Sequence, residues 1–120
     1  MRRVLVVVIL SISLGGCGGA QPTMAGSKWA QALRNPDVKL RKKAVFTLGN
    51  IGPSDPATLP ALLQALEDVD PGVRCEAIVA LLKFGPDAKE AIPALTNVQR
   101  HDRDARVRSY ATKALETLTR

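Results

Sequence analysis

Aromatic and sulfur-containing side chains are scarce in this chain of 120 residues. Four aromatic residues, two cysteines and a single histidine are present. Two cysteines cannot build a disulfide-rich scaffold, and four aromatics provide few platforms on which nucleic-acid bases could stack. The composition is otherwise that of a globular protein, with 46% hydrophobic and 23% charged residues and a formal net charge of +6. This excludes wholesale disorder, and the length allows one domain.

The chain also has no apolar run long enough to cross a membrane as an ordinary helical span. The longest run, Val4 to Leu14, has 11 residues and would be about 16 Å long as a helix, against a hydrocarbon core of roughly 30 Å. Two arginines precede it, and Gly15, Gly16 and Cys17 follow it. A basic start, a short apolar run and small residues in this order are typical of an export signal.

Leu14-Gly15-Gly16-Cys17 resembles a bacterial lipobox, and residues 1–17 together resemble a lipoprotein signal. The resemblance implies cleavage before Cys17 and an acyl lipid on its thiol. It divides the chain into a signal peptide (1–16), a lipidated flexible tether (17–26) and a domain (27–120). Gly18, where an aspartate is absent, implies the outer membrane, facing the periplasm, in a cell with two membranes. An ordinary cleaved signal and a buried N-terminal strand are the alternatives.

The remainder of the chain repeats with a period of 33 or 34 residues. Each repeat has an aspartate, an arginine four residues later, and then apolar residues at the spacing of one helix face. The aspartates are Asp37, Asp70 and Asp104, and the arginines are Arg41, Arg74 and Arg108. The pattern predicts the second helices of three helical pairs.

The first helices of the pairs are predicted from weaker signals. Leu59-Pro60-Ala61-Leu62 matches Ile92-Pro93-Ala94-Leu95, and Gly52-Pro53 matches Gly85-Pro86 between pairs. The glycines suit helix ends, because glycine adopts a left-handed conformation readily. The repeats are therefore assigned to residues 27–53, 54–86 and 87–120. We expect a short opening helix over 28–34 with Ser27 as its N-cap, and a kink at Pro93 if the third opening helix begins near Asp87.

The stretches DPGVRCEAIVALLKFG (70–85), GPDAKEAIPAL (85–95) and DARVRSYATKALETL (104–118) resemble HEAT repeats, particularly the bacterial PBS-lyase HEAT-like type. The resemblance implies an all-α fold: a short, right-handed α-solenoid of about three stacked antiparallel helix pairs, with the second helices on its concave side. Its apolar spine is expected to consist of Leu40, Leu48, Ile51, Val73, Leu81, Phe84, Val107, Leu115 and Leu118.

The recurring aspartates and arginines have two interpretations. Arg41, Arg74 and Arg108 could form an anion-binding row. Alternatively, Asp37, Asp70 and Asp104 cap the second helices, and the arginines pair with carboxylates in the same or the next repeat. The regular spacing favours this second interpretation, a structural ladder.

Catalytic and metal-binding constellations are not evident in the sequence. His101, with Asp102 and Asp104 nearby, is expected to lie in an exposed turn, and a weak metal site is the alternative. Cys75 lies next to Arg74, which can lower a thiol pKa, but it has no histidine partner in sequence. No glycine-rich phosphate loop appears. We therefore expect no catalytic residue, no metal, no cofactor and no small-molecule substrate.

These observations predict a non-enzymatic, membrane-anchored HEAT module that binds an envelope protein or peptide. Lys43, Glu76 and Tyr110, at equivalent positions of the three second helices, are the candidate partner-binding surface. Basic residues outside the ladder could instead bind anionic lipid headgroups. The alternatives are a bilin-lyase-like enzyme or enzyme subunit, since some relatives of this type are bilin lyases, and a nucleic-acid-binding protein if the chain is not exported. Nucleic acid is not expected as a partner of an exported protein.

Overall fold

A computed structural model describes residues 24–120 of the chain. This part contains six α-helices, and they form three consecutive pairs. The first helices of the pairs are α1 (Met24–Ala32), α3 (Thr58–Ala65) and α5 (Ile92–His101), and the second helices are α2 (Val38–Ile51), α4 (Pro71–Phe84) and α6 (Ala105–Leu118). Short 3₁₀ segments, Gly52–Ser54 and Gly85–Ala91, join one pair to the next. The predicted all-α stack of three helix pairs is confirmed.

The second helices form the continuous part of the stack. Helix α2 packs along α4, and α4 packs along α6, whereas α3 and α5 approach each other far less closely. A small residue allows the α2–α4 approach, because a Cβ added to Gly49 would lie only 2.8 Å from the Cβ of Ala80. The core therefore lies between the second helices and the first helices that cover them.

Glycine ends the first two repeats in the way the sequence predicts. Gly52 and Gly85 have φ values of 71° and 60°, in the range that other residues rarely adopt. The amide of Gly52 donates to the carbonyl of Leu48, which closes α2. The proline after each glycine lies in the first turn of the 3₁₀ segment that follows.

The opening helix differs from its predicted bounds. It runs from Met24 to Ala32 instead of 28–34, so Ser27 lies inside the helix and is not its N-cap. Residues 24–26 are therefore helical and not part of a tether. Gly26 is buried against the side chain of Asp55, so a contact between repeats, which periodicity does not reveal, holds this end of the helix to the second repeat. The lipobox residues Leu14, Gly15, Gly16 and Cys17 lie outside the described residues.

The predicted kink at Pro93 does not occur. Residues 85–91 form a 3₁₀ segment, and α5 begins only at Ile92, which places Pro93 in its first turn. A proline is tolerated there because the amide it lacks would have no acceptor within the helix.

Most of the predicted spine is buried, with one clear exception. Leu48, Val73, Leu81 and Val107 have no solvent exposure, and Phe84 and Leu118 are also buried. Ile51 and Leu115 are half-buried. The prediction that Leu40 belongs to the core is wrong, because 43% of this residue is exposed. Its equivalents Val73 and Val107 each have a preceding helix pair, whereas no pair precedes the first one within residues 24–120.

Candidate functional site

Each second helix begins with the same capped turn. The side chain of Asp37 accepts a hydrogen bond from the amide of Lys39, that of Asp70 from Val73, and that of Asp104 from both Arg106 and Val107. These bonds satisfy amides that have no acceptor inside the helix. The ladder aspartates are therefore engaged in helix capping, as their spacing predicts.

The arginines of the first two repeats make the same set of contacts. The Nε atom of Arg41 donates to Asp68 at 2.9 Å and its Nη2 atom at 3.2 Å, while Nη1 donates to the carbonyls of Asn35 and Pro36. This is a bidentate ion pair to the next repeat combined with contacts to its own. Both side chains are about nine-tenths buried, with 12% and 10% exposure.

Arg74 repeats this geometry one step further along the stack. Its Nε and Nη2 atoms donate to the two carboxylate oxygens of Asp102 at 2.8 and 2.9 Å, and Nη1 donates to the carbonyls of Asp68 and Val69. Burial would raise the pKa of the Asp102 carboxyl, but the hydrogen bonds from Arg74 and the Asp104 amide outweigh it, and the pKa is lowered. These two arginines therefore connect neighbouring repeats instead of forming an anion-binding row.

Sequence reasoning missed the carboxylates that pair with these arginines. Asp68 and Asp102 each lie two residues before a capping aspartate, and each also accepts a hydrogen bond from the amide of that aspartate. Asn35 occupies the equivalent position in the first repeat and makes the same local bond to Asp37. The 33- and 34-residue offsets connecting these three positions were the signal that could have revealed them.

His101 and Cys75 differ in burial and surroundings. His101 is exposed at the end of α5, and the neighbouring Asp102 is engaged by Arg74. Among residues 24–120, no group of three or more metal-ligating side chains has the geometry of a metal site. Cys75 is buried in α4, and this burial raises the pKa of its thiol. A raised pKa leaves less of the nucleophilic thiolate at neutral pH.

Lys43, Glu76 and Tyr110 occupy equivalent positions on α2, α4 and α6, outside the core. Lys43 is exposed, Tyr110 is 41% exposed and Glu76 is half-buried. The ammonium of Lys43 lies 6.0 Å from the centre of the Trp29 ring, so this lysine also borders the first helix. The three side chains follow one another along the stack.

A second row next to these residues was missed at the sequence level. Phe46 on α2 and Val79 on α4 are equivalent positions, and they are 52% and 37% exposed. The ammonium of Lys83 lies 4.5 Å from the centre of the Phe46 ring and donates to Asn50 at 3.0 Å. We call the exposed face formed by both rows the second-helix surface; its members are Lys43, Phe46, Glu76, Val79, Lys83, Tyr110 and Lys113.

The exposed charge of the second helices is mainly positive. Outside the ladder they carry six basic and two acidic residues: Lys39, Lys42, Lys43, Lys83, Arg106 and Lys113, with Glu76 and Glu116. Exposed apolar side chains with cations beside them can contact both an apolar group and an anionic group of a partner. The second-helix surface therefore combines apolar contact area with positive charge.

The opposite side of the stack has grooves of a different character. One of about 480 Å³ lies between α3 and α5, where Leu63, Leu66 and Val98 are flanked by Glu67 and His101. It results from the wider separation of the first helices, and its charged lining residues, Glu67 and Asp102, are both acidic.

In residues 24–120, no helix is both long and apolar enough to span a bilayer.

The repeat pattern agrees with a known family. The family model described as HEAT repeats matches residues 26–116, which include all six helices except the ends of α1 and α6. No individual curated protein matches the chain significantly. HEAT repeats are helical modules of protein interaction, and the stacked pairs and the aspartate–arginine ladder described above fit this architecture. The chain belongs to the HEAT-repeat family.

Proposed function

We propose that this HEAT module is non-enzymatic and binds a partner protein along the second-helix surface. The observation that carries the proposal is the exposure of Phe46, Val79 and Tyr110 among lysines. Large side chains exposed together on stacked helices are a common feature of protein-interaction surfaces. The buried thiol of Cys75 and the engagement of Asp102 by Arg74 support a binding role over a chemical one.

The partner segment we propose is acidic and contains at least one large apolar side chain. The apolar group would lie against Phe46 and Val79, and carboxylates would lie beside Lys43, Lys83 and Lys113. Charge complementarity of this kind accelerates association and selects among partners. Because the lysines are exposed, the binding should weaken as the salt concentration rises.

A peptide titration tests this surface directly. The probe is a fluorescent 12-residue peptide with six Asp or Glu residues around one Phe and one Leu, and the control peptide has Lys in place of every acid. We expect only the acidic peptide to raise the anisotropy, with affinity lost in 0.5 M NaCl. Phe46→Ala and Lys83→Glu should each weaken binding about tenfold or more, from loss of a central anchor or reversal of charge.

The matched control is Lys89→Glu, which reverses an exposed lysine on the 3₁₀ segment before α5, away from the second helices. It should bind as the wild type does. Equal weakening by Lys89→Glu would show that net charge alone drives binding and would count against the surface. Binding to vesicles containing anionic lipid, without binding to the acidic peptide, would favour lipid headgroups instead.

We also propose that the module is anchored to a bacterial envelope membrane through a lipid on Cys17. The support is the order of Arg2-Arg3, the apolar run to Leu14 and the sequence Leu14-Gly15-Gly16-Cys17. A lipid-anchored module would meet envelope proteins or peptides as partners. Gly18 supports the outer membrane as its destination where the cell has two membranes.

Intact-mass measurement of the protein extracted from washed membranes tests the anchor. The expected species begins at Cys17 and carries acyl mass, and Cys17→Ser should abolish both the added mass and the retention on membranes. Alanine replacement of Thr23, a nearby residue outside the lipobox, is the control and should leave both unchanged. An unmodified full-length chain in the soluble fraction would refute the anchor and return attention to nucleic acid as a partner.

A further inference from the structure

We propose that Arg108 is a binding site for a carboxylate of a partner protein, at the C-terminal end of the stack. Arg41 and Arg74 each use Nη1 for carbonyls of their own repeat and the Nε–Nη2 edge for the next repeat's aspartate. Arg108 makes one of the two carbonyl contacts of this arrangement, since its Nη1 atom donates to the carbonyl of Asp102 at 2.6 Å. We call each arginine–aspartate pair a rung and the Nε–Nη2 edge of the arginine its fork. The Nη1 contact anchors Arg108 as the corresponding contacts anchor Arg41 and Arg74.

No acidic side chain of this chain completes the third rung. Within residues 24–120, the ion pairs formed by arginines are those of Arg41 with Asp68 and Arg74 with Asp102. Residues 1–23 contain no aspartate or glutamate. No aspartate or glutamate of residues 1–120 therefore pairs with the Nε–Nη2 edge of Arg108.

A second copy of this chain does not supply the missing acid at the equivalent position. Head-to-tail stacking would bring Asn35 to Arg108, where the other rungs have Asp68 and Asp102. An amide has one acceptor oxygen beside a donor NH₂ group, so it cannot offer a separate oxygen to each N–H group of the fork, as a carboxylate does. The equivalent position of a second copy therefore does not supply a carboxylate to Arg108.

The face of α6 that corresponds to the α4 face carrying Cys75 and Leu82 is polar. It therefore offers no apolar area on which a further helix pair could stack. Cys75 is buried and Leu82 half-buried on α4, whereas their equivalents on α6, Ser109 and Glu116, are exposed and polar. A polar outer face of this kind is typical of a terminal capping repeat. We therefore expect a carboxylate on an exposed loop or chain end of the partner, with the arginine fork as the specific contact, rather than an apolar stacking of helices.

The test follows the arginine Nε–Hε signals of the ¹⁵N-labelled wild-type protein by NMR. The probe is a blocked peptide, Ala-Leu-Glu-Asp-Val-Asp-Pro-Gly, which copies residues 65–72 with the acid that pairs with Arg41. We expect a saturable shift of the Arg108 signal, while the signals of Arg41 and Arg74 stay in place because their forks are filled. Affinity in the millimolar range, about 1 mM, is expected for one charge-assisted pair without other contacts.

Two peptides of equal charge provide the matched control. One has Asn at the position that copies Asp68, and the other has Asn at the position that copies Asp70. We expect the first to bind about tenfold more weakly than the parent peptide, because an amide cannot fill the fork, and the second to bind close to the parent. Equal affinity of the two would overturn the proposal.

Protein variants distinguish the effect of the paired N–H donors of Arg108 from the effect of its positive charge. Arg108→Lys keeps the charge but removes the planar pair of donors and should lose most of the binding, whereas Arg106→Lys, at an exposed neighbour on the same helix, should not. An immobile Arg108 signal in the wild type would overturn the proposal even if the variants failed to fold, and so would stronger binding of inorganic phosphate than of the peptide. Neither result would bear on the second-helix surface, which the anisotropy experiment tests separately.

Discussion

At the scale of single residues, Asp102 combines two contacts that a helix start alone does not require. Its carboxylate receives the fork of Arg74, and one of its oxygens also accepts the amide of Asp104. The two side chains of the ion pair are 8% and 6% exposed. Removing one partner of such a pair leaves a buried charge without a counter-charge. The loss of stability on removing one partner is therefore larger than the net stabilisation that the intact pair provides.

We predict that Asp102→Asn lowers the free energy of unfolding at pH 7 by about 3 kcal/mol. Asp102 has a lowered pKa in the folded protein, so its contribution is fully present above the unfolded value of about 4 and is lost as the pH falls through the folded pKa. Urea unfolding of wild type and variant between pH 2 and 7 should therefore give curves that converge in acid. Asp87→Asn, at an exposed carboxylate, should leave the stability nearly unchanged, and curves that stay parallel to low pH would contradict the assignment.

The contribution of Cys75 to stability depends on pH in the opposite direction to that of Asp102: it is lost as the pH rises. Its burial raises the thiol pKa, with Arg106 and Arg74 acting against that effect and Asp104 and Asp102 adding to it. We predict that, in a Cys17→Ser background, the folded protein reacts with a thiol reagent at pH 8 more than about tenfold slower than the urea-unfolded chain. The unfolded chain loses this proton first, so the contribution of the neutral thiol to stability declines as the pH rises above about 9. Equal reaction rates in the two states would refute the burial.

At the scale of elements, the sequence predicts the second helices better than the first. The capping aspartates and the apolar spacing define α2, α4 and α6, and the structure confirms all three. The register of Asp68 and Asp102 was equally available in the sequence but was not recognised, because their partners lie 27 and 28 residues away. Contacts between repeats, such as the burial of Gly26 against Asp55, have no local periodicity and could not be predicted from it.

Proline and phenylalanine residues show why a sequence pattern predicts the structure at some positions and not at others. Pro60 and Pro93 each lie near the start of a first helix, and their spacing predicts that these regions are helical. Whether Pro93 bends a helix depends on where that helix begins, and the 3₁₀ segment before Ile92 sets that point. The second-helix surface was only partly predicted, since Phe46 has an apolar side chain that a pattern assigns to a core as readily as to an exposed face.

The contact between α2 and α4 depends on Gly49. A Cβ at this position would lie 2.8 Å from the Cβ and 3.1 Å from the Cα of Ala80. We predict that Gly49→Ala destabilises the protein by about 1–2 kcal/mol, because the overpacking outweighs the higher helix propensity of alanine. Urea unfolding of Gly49→Ala, Ala80→Gly and the double variant gives the test: the double variant should be more stable than the sum of the single changes predicts. Strict additivity would show that the two positions do not contact each other.

At the scale of the whole molecule, α4 is the element that joins the two ends. Eight of its residues are buried, whereas α2 and α6 have four buried residues each. It is the middle second helix and packs against both others, and its Arg74 also connects the second repeat to the third. In a stack where each repeat contacts only its neighbours, stability is approximately the sum of the repeats and their interfaces, and the middle repeat has two interfaces.

This arrangement predicts an order of local stability along the chain. Amide hydrogen exchange should be slowest in α4, with opening free energies close to the global value, and fastest in α1, where Gly26 is the one buried residue. Leu81→Ala in α4 should cost about 3–5 kcal/mol and accelerate exchange in all three second helices, while Leu115→Ala, at a half-buried position of α6, should cost less and act mainly on the third repeat. Uniform acceleration of every helix by Leu115→Ala would instead indicate that residues 24–120 unfold as one unit, with the interfaces stronger than the repeats they join.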